Sequence, residues 1–388
     1  MRKVLLAALV AACCAGCGTT EKVTGWFSSG KDNSEPPAPL VEFRPRLNVV
    51  RLWSEGVGSG TDDQYLKLTP AVAGQRLFTA GSDGEVVALD ASNGNTLWSV
   101  DVDEHITGGP GFGENVVLVG TGEGEVIALN ADSGKELWRS RVSSEVLSPP
   151  LKAEGTVVVR TNDGRIFGLA GDTGKRLWTY DRTVPPLTLR GTSAPRVSAG
   201  IVIAGFDAGR MAALDLPTGR LIWETSVATS RGRSELERMV DIDSEPLLVE
   251  GIIYVATFQG QIAAVQMESG RILWNREISS YAGFTADDSY LYLSNDQSHV
   301  LAIDRFTGTV IWRQEKLHAR AATGPAVIGN YVVVGDLEGY LHWMDKATGD
   351  FVARTRLSDA RIIVEPIVVG KVLYAYASDG TLAAYTYR

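Results

Sequence analysis

Residues 81–98 read GSDGEVVALDASNGNTLW, and the spacing inside this stretch decides the fold. Asp83-Gly84 suits a tight two-residue hairpin turn, which needs positive φ. Glu85 to Asp90 follows as a short strand, apolar on both faces. Ala91-Ser92-Asn93-Gly94 then makes a wider turn, and a last strand carries Trp98. Upstream, Ala71 to Ala73 and Arg76 to Ala80 form two more strands around Gly74. Pro70 opens the first of them, where a missing N–H does little harm. The unit is a four-stranded antiparallel meander of about 40 residues.

The same spacing recurs along the 388 residues. The tight-turn glycines are Gly84, Gly124, Gly164, Gly209, Gly260, Gly339 and Gly380, with Ser298 at the sixth position. Ten residues on come Gly94, Gly134, Gly174, Gly219, Gly270, Gly308 and Gly349. Four further on come Trp98, Trp138, Trp178, Trp223, Trp274 and Trp312, while the seventh repeat has Ala353. A proline precedes each tight turn by fourteen residues, except in the sixth repeat, where Phe284 takes its place. One such meander cannot bury both faces, and radial stacking solves that. The eighth repeat ends at Arg388 without a last strand, and the run from Leu47 to Trp53 supplies it from the other terminus. The expectation is an all-β fold: an eight-bladed β-propeller of four-stranded antiparallel blades over residues 45–388, closed by the N-terminal strand in the last blade.

The N-terminus reads as an address. Arg2 and Lys3 precede an apolar run from Val4 to Ala12, too short for a permanent membrane span. Residues 1–16 fit a cleaved secretory signal. Cys14-Ala15-Gly16-Cys17 resembles a bacterial lipobox, which implies that Cys17 is acylated and becomes the new N-terminus. By the same resemblance, Gly18 rather than Asp sends the anchor to the outer membrane. Acyl chains hold through about 0.8 kcal/mol per buried CH₂. Residues 17–44, rich in Ser, Gly and Pro, read as the acylated cysteine and a flexible tether.

The repeat Ala88-Leu-Asp-x-x-Asn-Gly94-x-x-x-Trp98 is similar to the tryptophan-docking repeat of quinoprotein propellers, in which each Trp packs flat between blades. That resemblance speaks for fold and leaves function open. An enzymatic member holds its quinone over calcium beneath a disulfide of adjacent cysteines, and here no cysteine follows Cys17. His105, His299, His318 and His342 fall in different repeats without ligand spacing. Asp241 and Asp243 lack the further acids of a calcium loop. No catalytic, cofactor or metal residue is therefore assigned. A net charge of −9 repels phosphate backbones, so no nucleic-acid partner is expected. A PQQ-dependent quinoprotein dehydrogenase and a periplasmic ligand-binding or sensor propeller stand as the alternatives.

Every change in repeat length falls between the Trp of one blade and the Pro of the next. These connectors measure 17, 12, 12, 17, 23, 10, 13 and 13 residues. The 17-residue span from Trp178 to Pro195 and the 23-residue span from Trp223 to Pro246 flank blade 4 on one face of the disc. Such insertions mark a binding side. The first holds Leu187 and Leu189 behind two prolines, with Arg190 beside them. The second ends in Asp241-Ile242-Asp243.

The lipoprotein signal, the tether, the ring and the runs PLTLRG (186–191), DID (241–243) and GDLEGYLH (335–342) together resemble the propeller lipoproteins of the outer-membrane β-barrel assembly machinery. The resemblance implies a non-enzymatic scaffold, lipid-anchored at the outer membrane and facing the periplasm. It implies the periplasmic domains of BamA and the rest of the assembly complex as partners, with unfolded β-barrel clients beside them. The family's contact residues fall on Leu187, Leu189, Arg190, Asp241 and Asp243. For the two aspartates, contact with the partner and support of the neighbouring loop both stand open.

Overall fold

A computed structural model describes residues 35–61, 64–182, 193–228 and 240–388. The ring and the segment leading into it form one compact unit, Pro37–Arg388. Among the described residues, thirty-two strands make eight four-stranded antiparallel sheets. Seven blades take consecutive strands, as in Ala71–Ala73, Arg76–Ala80, Glu85–Asp90 and Thr96–Asp101 of blade 1. In blade 8 the outermost strand is Val49–Gly56, paired antiparallel with Thr381–Tyr387 so that Trp53 faces Ala384. The expected eight blades and N-terminal closure are both present.

The core lies between blades rather than within them. Phe78, Val86 and Ala88 of blade 1 pack with Val117, Val119, Ile127 and Leu129 of blade 2, all buried. This is why the two middle strands of a blade read as unbroken apolar runs: each face meets a neighbour.

The tryptophans join the blades. Each of Trp53, Trp98, Trp138, Trp178, Trp223, Trp274 and Trp312 donates its indole N–H to a carbonyl of the next blade, at 2.8–3.2 Å. The ring covers the turn glycine of that blade. A Cβ on Gly94 would stand 2.7 Å from Trp53, and φ there is +80°. Glycine is thus required twice over, by backbone and by contact.

Blade 7 departs from the pattern, and ring closure explains it. In other blades a small residue on the third strand faces a Trp on the fourth, as Ala88 faces Trp98. In blade 7 the pair is exchanged, and Trp343 faces Ala353. The fourth strand of blade 8 comes from the N-terminus, so blade 8 has no turn between its last two strands. A docking Trp on blade 7 would find no glycine turn to cover. Trp343 instead fills the core between blades 7 and 8.

The chain ahead of the closing strand descends along blade 7. Ala38 N–H donates to His318 O at 3.0 Å, and Arg320 donates to Ala38 O at 2.9 Å. Arg354 donates to Val41 O at 3.0 Å, and its guanidinium lies 5.1 Å over the Phe43 ring. Phe43 stacks on Phe351 at 5.6 Å, and Arg46 N–H donates to Val352 O at 2.8 Å. Residues 38–44, assigned to a tether by composition, thus already lie against the ring.

Candidate functional site

Blade 4 comprises Arg196–Ser198, Ile201–Gly205, Arg210–Asp215 and Leu221–Ser226. The connector into it spans the Trp178–Pro195 gap, and the connector out spans Trp223–Pro246. Leu187, Leu189 and Arg190 lie outside the described residues, as does Cys17. What the structure describes is the frame from which both connectors spring.

The bases of the two connectors are tied to each other. Ser193 Oγ donates to Ser244 O at 3.0 Å, across 51 residues of chain. Ser193 O in turn accepts from Arg160 of blade 3 at 3.2 Å. Arg160 is 5% exposed and lies 3.8 Å from Asp207 in the tight turn of blade 4. Burial works against its charge, and Asp207, Asp243 and Asp241 support it. Arg182, the last described residue before Leu187, pairs with Glu224 at 2.5 Å. The guanidiniums of Arg160 and Arg182 sit 5.9 and 5.4 Å from the Phe206 ring. Each is within cation–π range.

Asp241 and Asp243 are both buried, at 2% and 7% exposure. Asp241 accepts the N–H of Ala208 at 3.0 Å, inside a turn where Ala208 and Gly209 have φ of 56° and 64°. Its backbone carbonyl accepts from Phe258 in the corresponding turn of blade 5. Between the two aspartates, Ile242 packs on Gly205, where a Cβ would come within 2.3 Å of it. Asp243 turns toward the ring axis beside Lys67. Burial, with the nearby Asp241 carboxylate, pushes its carboxyl up to about 6. Burial also raises Asp207, against the pull of Arg160.

Asp241 therefore ties the turns of blades 4 and 5 together, and the charge of Asp243 supports Arg160 beside Asp207 and Arg182. Sequence reading did not single out those last three residues. One signal was available for Arg160: four residues before the tight-turn glycine, most repeats carry Ala, Gly or Ser, and only Arg160 and Tyr376 are large. Among the described residues no group of three or more His, Cys, Asp or Glu is placed to hold a metal.

Comparison with known proteins bears on what this frame serves. The family model described as "Outer membrane protein assembly factor BamB" matches residues 82–314 and 297–388. The chain is 50% identical over 361 residues to the outer membrane protein assembly factor BamB of Pseudomonas aeruginosa, covering 93% of this chain and 95% of that one. The crystal structure of BamB from Moraxella catarrhalis superposes with a TM-score of 0.80 at 30% identity, covering 87% of this chain and 99% of that one. A quinohemoprotein alcohol dehydrogenase from Comamonas testosteroni superposes with a TM-score of 0.69 at 15% identity, covering 87% of this chain and 76% of that one. That last likeness concerns the fold alone.

Proposed function

The chain belongs to the BamB family of outer membrane protein assembly factors, and we propose that it holds the periplasmic domains of BamA through the two connectors flanking blade 4. It is a non-enzymatic scaffold, a member of the assembly complex working at the outer membrane. The finer reading concerns partner, residues and anchor.

The observation that carries the partner site is the Ser193–Ser244 tie with the buried Arg160–Asp207–Asp241 frame beneath it. A frame of this kind fixes the roots of the two long connectors to each other, which lowers the ordering cost of binding. Leu187 and Leu189 supply the apolar contact and Arg190 a charged hydrogen bond. Asp241 acts mainly by holding the frame, and Asp243 by supporting the charge of Arg160. The test is a pull-down of BamA periplasmic domains by the Leu187→Ala/Leu189→Ala variant, with melting checked. Loss of BamA at unchanged melting is expected, and full retention contradicts the site.

The anchor is Cys17, acylated and set in the outer membrane so that the ring faces the periplasm. Cys17→Ser is expected to leave the protein off the membrane fraction or uncleaved. Its persistence in the outer membrane after high-salt washing contradicts the anchor.

Unfolded β-barrel clients form a second class of partner. The open outer strands carry an exposed apolar residue just ahead of the Trp, among them Leu97, Leu137, Leu177 and Leu273. In blade 7 the matching Val352 is covered, and its carbonyl is taken by the chain's own residues 46–47. A segment of chain bound at a blade edge is thus already part of this molecule, which supports addition at the blade edges as the mode for clients.

A further inference from the structure

The centre of the connector face is a funnel of about 700 Å³. Its wall is apolar and aromatic, built from Tyr65, Leu66, Leu147, Phe258 and Tyr281. Phe258 and Tyr281 meet edge to face at 6.1 Å. Tyr65 is 62% exposed, an unusual position for an aromatic ring without a partner surface. The floor is polar. Lys67 and Asp243 line it, and below them a narrower chamber of about 40 Å³ adds Glu245 and Glu365.

Charge at the floor does not balance among the described residues. Glu245 is paired with Arg196, and the Lys67 ammonium donates to Tyr281 O at 3.0 Å. Glu365 comes from the connector entering blade 8, and its carboxyl lies over Gly283 and Gly324. A Cβ on either glycine would stand 2.6–2.7 Å from Glu365 Oε2, so both positions make room for this one carboxyl. Burial, with Glu245 nearby, pushes it up to about 7, against Lys67 and Arg196. A carboxyl held in this way gains from an arriving cation, and the overall charge of −9 draws one in.

We propose that the axial funnel is a docking pocket for one basic side chain, arginine or lysine, presented on an apolar segment of the protein partner. The stem of such a side chain lies along aromatic and leucine walls while its head reaches an acid. Glu365 takes the head, and Tyr65, Phe258 and Tyr281 take the stem and the flanking apolar residues. The pocket shares its face, and Asp243, with the connector site. The proposal rests on that reading and adds a second, central contact to it.

The experiment measures affinity of the full chain for purified BamA periplasmic domains by calorimetry, with melting checked for each variant. Glu365→Gln and Tyr281→Ala are each expected to weaken binding about tenfold, as loss of a partly desolvated contact does. If Arg190→Ala weakens binding while both pocket variants bind as the wild type, the funnel proposal is overturned and the connector reading stands. If the pocket variants weaken binding and Arg190→Ala does not, the funnel stands and the connector reading fails. Should a pocket variant fail to fold, the wild type is titrated with two capped peptides, acetyl-Leu-Arg-Leu-amide and acetyl-Leu-Glu-Leu-amide. Binding of the arginine peptide about tenfold or more above the glutamate peptide supports the proposal. Equal binding, or binding of neither, overturns it.

Discussion

Asp243 shows how far a single residue departs from what its sequence neighbours suggest. On a long polar connector an aspartate reads as an exposed charge, yet it is 7% exposed and ionises near 6. A carboxyl near 6 in the fold and near 3.8 in the unfolded chain favours folding when protonated. Its destabilising effect is absent below the lower value and complete above the higher one. The gap corresponds to ~3 kcal/mol. Asp243→Asn mimics the protonated form at every pH. Wild type and variant are expected to differ least near pH 4, and the variant to gain progressively on the wild type as pH rises through 6. Chemical denaturation of both proteins at several pH values measures this, and a difference independent of pH contradicts it. Other residues were legible at once. The tryptophans fell on the inter-blade contacts because a period of about 40 with Gly-x-x-x-Trp leaves little other use for an indole. Ala353 was visible only as a gap in the pattern. Its meaning needed the pairing with Trp343 and the missing turn of blade 8.

At the scale of elements, closure is the feature with most consequence. The strand Val49–Gly56 completes blade 8, and Trp53 reaches over Gly94 of blade 1 to the Ala91 carbonyl at 3.1 Å. One strand thus joins the two chain ends and two blades. Removal of residues 45–55 takes away that sheet edge and the Trp53 indole, whose loss alone costs about 3–5 kcal/mol. The deleted protein is expected to melt well below the full chain and to expose blade 8 to proteolysis, read by calorimetry and limited digestion. Unchanged melting contradicts closure as a source of stability. The blades and this closing strand could be read from sequence because turn chemistry and strand patterning repeat eight times and agree. The run of residues 38–47 along blade 7 could not. It forms no regular strand, and its hold on the ring comes from Arg320, Arg354 and Phe351, which are far away in sequence. Connector lengths pointed to blade 4, but the Arg160–Asp207–Asp241 frame is assembled from three separate stretches and left only the out-of-pattern Arg160 as a trace.

For the whole molecule, the strands of the ring carry its packing, and on the proposal made above its connectors carry recognition. Inter-blade cores, seven docked indoles among the described residues and a closing strand fix the disc. The same fold serves a dehydrogenase at 15% identity and an assembly scaffold here. On the proposed function, this scaffold grips BamA beside blade 4. Calorimetry of the full chain with BamA periplasmic domains, before and after Arg190→Ala and with both proteins melting alike, decides whether it does. Loss of a buried charged hydrogen bond predicts a binding deficit of about 2–5 kcal/mol. Equal affinity in the two proteins would rule out a grip through Arg190.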